Sequence, residues 1–235
     1  MTVLLRRRAT ALREAMDDPG CDAARLRATY AQFARVNRWL AGWSAVFERW
    51  LKPRARPGAT LLDVGCGGGD VARSLAYWSA EAGVPLAITA VDPDERALDF
   101  ARSRPTPPGV HFRRASMEEL VAEGRGYDFV ISNHVLHHLD EAELPRFLEA
   151  SAALTRGLAV HNDLRRSDLA LLAFAPLRVV FHGSFIVPDG LRSIRRAYRI
   201  DELRALAPQG WRVVRWAPFR TLVVQQAGPD AGAPG

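Results

Sequence analysis

Apolar positions recur along this chain with two different periods. From Asp22 to Leu51 the residues Leu26, Tyr30, Phe33, Val36, Leu40, Trp43, Val46, Phe47 and Trp50 fall at three- and four-residue steps, the spacing of one helix face. The pattern predicts an N-terminal helical segment broken near Gly42. A shorter helix from about Thr10 to Met16 is expected before it, ended by Pro19-Gly20. Residues 53–58, rich in proline and arginine, read as a linker.

Beyond the linker the period changes. Short β-branched or apolar runs at 59–64, 86–91, 110–113, 127–132 and 157–161 alternate with amphipathic runs at 71–82, 95–102, 117–123 and 141–154. Such alternation implies an α/β fold with a mostly parallel, doubly wound sheet and helices on both faces. Residues 162–199 depart from it, with a lid-like insertion over about 164–199 that has Pro176, Gly183 and Gly190 as possible hinges. One more helix at 201–207 follows, then a closing pair of strands at 211–216 and 221–226 around Pro218. The last of these is expected to run antiparallel. The organisation expected is an N-terminal helical segment at 1–57, a catalytic domain at 58–227 and a disordered tail at 228–235.

With 235 residues, 48% of them hydrophobic, the chain can bury one substantial core. Its net charge of +6 comes from arginine, since Lys52 is the only lysine. These arginines are scattered, the densest run being Arg6, Arg7 and Arg8, and none is interleaved with aromatics. No nucleic-acid partner is therefore expected. Cys21 and Cys66 are too few for a disulfide framework and point to a reducing, cytoplasmic setting. Residues 1–10 place apolar residues before arginines, the reverse of a secretory signal. The longest apolar stretch, 169–187, is interrupted by Pro176, Arg178, His182 and Gly183, so no membrane span is expected.

The chemistry is concentrated after the strands. Leu61-Leu62-Asp63-Val64-Gly65-Cys66-Gly67-Gly68-Gly69-Asp70 follows a strand and opens a helix, and glycines there let the backbone turn and approach a ligand closely. Nicotinamide, flavin and methyl-donor enzymes all use such a turn. Asp63 favours the last, because a carboxylate two residues before the first glycine suits an ammonium and would repel a pyrophosphate. The second strand ends in Asp92-Pro93, where an acid can accept ribose hydroxyls, and Ser116-Met117 follows the third, where an adenine edge would be read. Asp70 is expected to cap the helix.

On these residues the chain resembles the class I S-adenosylmethionine-dependent methyltransferases, over roughly 59–161. The resemblance implies a Rossmann-like fold with S-adenosyl-L-methionine as cofactor and S-adenosyl-L-homocysteine as product. It also implies that Gly65, Cys66 and Gly67 hold the methionine part, Asp92 and Pro93 the ribose, and Ser116 and Met117 the adenine, with Asn133 beside the cofactor. Ser116 stands where the family commonly has an acid. Met16-Asp17-Asp18-Pro19, Val36-Asn37-Arg38 and Asn162-Asp163-Leu164 resemble a bacterial branch linked to natural-product pathways.

Asn133-His134-Val135-Leu136-His137-His138-Leu139 after the fourth strand and His161, Asn162 and Asp163 after the fifth supply candidate acid–base groups. His111 reads as structural, and His182 reaches the pocket only if the insertion folds over it. Some small-molecule O-methyltransferases with a similar Leu-His-His sequence pair the first histidine with an acid after the fifth strand. That resemblance nominates His137 as general base and Asp163 as its orienting group, with His134 the alternative base. Otherwise Asp163 caps the following segment. His134 and His138 have the i, i+4 spacing of a metal pair, but no carboxylate or thiolate lies at matching spacing, so no metal is expected.

Leu171, Leu172, Phe174, Leu177, Phe181 and Phe185 in the insertion suggest a lipophilic or aromatic small-molecule acceptor, with a homodimer interface the alternative use of that surface. The leading expectation is O-methylation of a phenolic or polyketide-like natural product. An RNA or protein methyltransferase, a C-methyltransferase acting on a quinone-like acceptor and a binding protein without turnover stay open. Against the RNA or protein reading, no Asn-Pro-Pro-Tyr-type sequence occurs at Asn133.

Overall fold

The computed structural model describes residues 5–216 and 218–227; the tail at 228–235, expected to be disordered, lies outside them. Strands β1 (Thr60–Val64), β2 (Ala87–Asp92), β3 (Val110–Arg114), β4 (Tyr127–Asn133), β5 (Thr155–Leu164), β6 (Arg212–Trp216) and β7 (Arg220–Gln226) form one sheet in the order β3-β2-β1-β4-β5-β7-β6. β1 to β5 pair in parallel, and β7 runs antiparallel to both β5 and β6. This is the mostly parallel sheet that the alternation implies, with the expected C-terminal antiparallel strand, and it is Rossmann-like as the resemblance implies.

Side chains two apart along a strand share a face, so each strand feeds two cores. In β1, Leu61 points into a core with Val71, Ala72 and Leu75 of α3 (Asp70–Glu81) and with Trp43, Phe47 and Leu51. Leu62 and Val64 point into the other, with Leu120 of α5 (Met117–Ala122), Leu144 and Leu148 of α6 (Glu143–Leu154) and Leu203 of α9 (Ile200–Leu206). α4 (Glu95–Arg102) packs Ala97 and Phe100 against Leu26 and Tyr30 of α1 (Ala23–Leu40).

The helical face from Leu26 breaks where expected. Gly42 takes φ of +66°, a conformation that costs glycine little, and α2 (Trp43–Val46) restarts at a new angle before a π-helical turn at Phe47–Leu51. The shorter helix expected at Thr10–Met16 does not form; only a 3-10 turn at Ala15–Asp17 is present. Tertiary partners take the backbone groups a helix would use. Ala15 N and Met16 N donate to the Asp189 carboxylate at 2.8 and 2.9 Å, and Ala9 N donates to Arg195 O. Residues 5–22 thus lie as a strap across α8 (Ile186–Arg196).

Three further expectations are corrected. β5 extends three residues beyond His161, because Asn162, Asp163 and Leu164 continue the ladder opposite Leu222, Thr221 and Arg220. Gly69, at φ +74°, caps α3, and Asp70 is its first residue, its carboxylate accepting from Asn37 Nδ2 at 2.9 Å. Gly190, a possible hinge from sequence, is inside α8, and a Cβ there would meet the Phe174 ring at 2.3 Å. Close helix packing against α7 (Asp168–Phe174) is its reason. Among the described residues no helix is long and apolar enough to cross a membrane.

Candidate active site

The C-terminal ends of β1, β2, β4 and β5 open into a cavity of about 620 Å³, where open α/β sheets bind their ligands. Asp63, Gly65, Cys66, Gly67, Asp92, Pro93, Ser116, Met117 and Asn133 all line it, as do His134 and His137. The cavity runs from the glycine loop to the strap and the insertion, and Phe33 of α1 with Phe174, Leu177, Phe185 and Ile186 of the insertion roof it.

At the loop end the residues fit a methionine-derived cofactor. Asp63 is 1% exposed, and its Oδ2 has no hydrogen-bond partner among the described residues. Burial, with the nearby Asp70 and Asp92, pushes its carboxyl up to about 8. A buried carboxyl with a free oxygen on a cavity wall suits the ammonium of an amino-acid moiety. Gly65 needs its φ of +68°, and a Cβ there would sit 2.6 Å from Val135 Cγ2. Asp92 Oδ2 accepts from Gly67 N and its Oδ1 from Asp94 N, which ties the loop to β2 and leaves lone pairs for hydroxyl donors. At the adenine position Ser116 caps α5 in a reciprocal capping box with Glu119. Its hydroxyl oxygen accepts from Glu119 N and its N–H donates to Glu119 Oε2, so the capping box uses neither the hydroxyl proton nor the Met117 N–H, first in the helix.

At the other end the fold brings His137 and Asp163 together. His137 sits in a 3-10 turn (Leu136–His138) and is 1% exposed; its Nδ1 lies 2.7 Å from Asp163 Oδ1, while its backbone N donates to Asp163 Oδ2 at 2.7 Å. Asp163 also accepts from Leu164 N. The opposite ring nitrogen has a partner that spacing did not reveal: Nε2 lies 3.1 Å from Glu14 Oε1, on the strap. Glu14 is held there by Ser193 Oγ, which donates to the same oxygen at 2.6 Å.

Burial alone would lower the proton affinity of His137. The charge and hydrogen bond of Asp163, then those of Glu14, outweigh it and lift the imidazole to about 9. Burial correspondingly works to raise both carboxyls, but the imidazolium holds Glu14 down at about 2 and Asp163 well below the usual range. With Glu14 in place, His137 is therefore protonated at neutral pH. His138, beside Asp17 at 3.6 Å, is lowered to about 4 by burial and the neighbouring imidazolium.

His134 has a different environment. Its backbone is left-handed at φ +62°, a conformation rare for a residue with a Cβ, and its Nε2 accepts from Arg220 Nη1 at 3.0 Å. The ring proton must then be on Nδ1, and burial together with the Arg220 charge holds the imidazole neutral. His161 does not line the cavity. Ser132 and Ser151 bond its two nitrogens, Phe147 and Trp211 flank its ring, and burial lowers it to about 3, so it is a core histidine. His111 is exposed on β3, and His182 is exposed and does not line the cavity.

The fold places beside these histidines carboxylates that spacing conceals. Glu14, His137 and His138, and likewise His134, His137 and Asp163, bring donor atoms within 4.8 Å of one another. His137 belongs to both sets, and each of its nitrogens already lies at hydrogen-bond distance from a carboxylate, an arrangement of shared protons.

Residues 61–157 match the family model described as a methyltransferase domain. The chain is 32% identical over 167 residues to a ubiquinone biosynthesis O-methyltransferase from Caulobacter vibrioides, covering 69% of this chain and 62% of that protein. The protein of the same name from Bordetella parapertussis is 31% identical over 172 residues, covering 69% and 68%. The chain thus spans less than two thirds of the Caulobacter relative. Among solved structures, magnesium protoporphyrin IX methyltransferase from Synechocystis with bound S-adenosylhomocysteine superposes with a TM-score of 0.55 at 16% identity, covering 91% of both chains. A methyltransferase from Aquifex aeolicus gives 0.57 at 16% identity, covering 84% of this chain and 96% of that one.

Proposed function

The chain belongs to the class I S-adenosylmethionine-dependent methyltransferases, and we propose that it methylates a hydroxyl oxygen of a small lipophilic or aromatic acceptor, phenolic or polyketide-like. The observation that carries this reading is the 2.7 Å contact of Asp163 Oδ1 with Nδ1 of His137, the residue of the pair that lines the cavity the glycine loop enters. The names of the two O-methyltransferase relatives support the oxygen as the accepting atom. Free Cys21 and Cys66 support action in a reducing cytoplasm, and the apolar roof supports a natural-product acceptor.

S-adenosylmethionine supplies a methyl carbon on a sulfonium, ready for in-line displacement. Asp63 would receive its ammonium, Asp92 and Pro93 its ribose, and Ser116 and Met117 its adenine. Gly65, Cys66 and Gly67 let it approach the backbone. The chain's own task is to hold the acceptor in line, exclude water and remove one proton. A phenol with pKa about 10 is mostly protonated at neutral pH. As the oxygen–carbon bond forms and the sulfur–carbon bond breaks, the hydroxyl proton passes to His137 Nε2, and Asp163 stabilises the resulting imidazolium.

Glu14 must first leave Nε2. Its departure removes one of the two carboxylates that keep His137 charged, so the imidazole gives its proton to solvent and becomes a base as the acceptor takes the carboxylate's place. The strap and the insertion at about 164–199 act together as the lid of the domain at 58–227. Labelled S-adenosylmethionine offered with a panel of phenols, quinones and lipids tests the reading. Label recovered as an aryl methyl ether supports it; label found only on carbon, on nitrogen or in RNA or protein refutes it.

A further inference from the structure

We propose that Arg220 binds an anionic oxygen of the acceptor, so that the preferred acceptors carry an acidic group, a carboxylate or an ionised hydroxyl, in addition to the hydroxyl that is methylated. This rests on the reading that the cavity takes the acceptor.

Arg220 opens β7, lines the cavity and is 2% exposed. Its hydrogen bonds among the described residues go to Asn162 Oδ1 at 2.9 Å, His134 Nε2 at 3.0 Å and Asn133 Oδ1 at 2.7 Å. All three acceptors are neutral. Asp163 is the carboxylate whose charge reaches it, and that carboxylate is bonded to the imidazolium of His137. A buried cation without an anionic partner is costly unless something completes it. The fold does pair a buried arginine where the role is architectural: Arg166, 3% exposed, meets the Glu202 carboxylate and the Leu5 and Ala197 carbonyls.

The neighbours of Arg220 are oriented to present it. Asn133 gives its amide nitrogen to Asn37 Oδ1 and Asn162 gives its own to Ala41 O, which turns both amide oxygens toward the guanidinium. Three of the five guanidinium N–H groups are thereby used, and each terminal nitrogen keeps one. His134, with Nε2 filled, can offer only its Nδ1–H, a further donor on the same wall. The backbone is left-handed at non-glycine positions in two places among the described residues, His134 and Phe219, at φ +62° and +54°. One is Arg220's partner, the other its chain neighbour, and both line the cavity. Strain kept at two positions flanking one unpaired cation marks a site built for a ligand, and a planar fork with spare N–H groups suits a carboxylate or phenolate.

The test measures binding, not turnover, by calorimetry in saturating S-adenosylhomocysteine. 2-Hydroxy-6-pentylbenzoate and 3-pentylphenol differ by one carboxylate; 2-nitro-5-pentylphenol, assayed above its pKa, offers an ionised hydroxyl. The wild type is expected to bind one or both anions at least tenfold more tightly than 3-pentylphenol, and which one tells carboxylate from phenolate. The ratio is expected to fall below threefold in Arg220→Met, or in Arg220→Gln if the first does not fold, with melting temperature and S-adenosylhomocysteine affinity as checks on folding. Absence of any preference in the wild type overturns the proposal, whatever the variants do. So does a preference that survives in a folded variant. Methyl transfer to an uncharged phenol is judged in its own assay, so the two readings can fail separately.

Discussion

Glu14 and His137, 123 residues apart in the chain, meet at 3.1 Å on the side of the imidazole opposite Asp163. The contact joins the strap to the catalytic wall, and it decides the protonation state of the proposed base. Because kcat/KM reports groups of the free enzyme, it should rise with pH along a limb near 9, the value to which Asp163 and Glu14 lift His137. Glu14→Gln removes one of those charges, so the limb should move down by about one unit or more and the rate at pH 7 should rise. An unmoved limb would mean that Glu14 is not on His137 in solution.

Asp63 gives a prediction for the cofactor end. Its carboxyl, pushed up to about 8 by burial first and by Asp70 and Asp92 next, is protonated at pH 7 and must ionise to meet an ammonium. Binding of S-adenosylhomocysteine should therefore release close to one proton at pH 6.5, and affinity should increase with pH between 6 and 7.5. Calorimetry in buffers of different ionisation enthalpy measures the proton count. No release would show that Asp63 is already ionised or faces another group. Asp63→Asn should abolish the release and weaken binding at least tenfold.

What was legible in the sequence was local. The glycine loop, Asp63 and Asp92 announce themselves because a strand, a turn and a helix follow each other within one stretch of chain, and the parallel sheet places their ends side by side. His137 and Asp163 lie at the ends of adjacent strands, so the likeness to a Leu-His-His sequence could nominate them together. Glu14 could not be found this way. Its segment has helix-forming composition, and only docking of Ala15 on Asp189, 174 residues away, and of Glu14 on Ser193, 179 residues away, makes it a strap. Arg220 left a faint signal, a lone arginine opening the apolar run Thr221-Leu222-Val223-Val224. Its meaning depends on Asn133, His134 and Asn162, which only the β4–β5–β7 pairing assembles.

The insertion should behave as a lid. Gly183, at φ +69° with open space around it, is a hinge candidate that the structure leaves free, whereas Gly190 is packed under Phe174. Cofactor and a bound phenol together should slow hydrogen exchange across 168–196 and across the strap at 5–22, because both roof the cavity. Leu169, Leu172, Val179 and Val180 are exposed on the outer surface. Exchange that responds to protein concentration and not to ligand would instead identify that surface as a homodimer interface.

In the proposed reaction neutral His137 takes the hydroxyl proton while Asp163 holds its ring. The most direct measurement is turnover of His137→Ala across pH at saturating acceptor, beside its affinity for S-adenosylhomocysteine. Loss of a general base should lower kcat by about 10²-fold or more and abolish the ascending limb, with cofactor affinity nearly unchanged because Asp63 and Asp92 lie at the other end of the cavity. Asp163→Asn should cost less, and the double variant little more than His137→Ala, since the pair acts as one unit. Near-normal turnover of His137→Ala at every pH would contradict the claim.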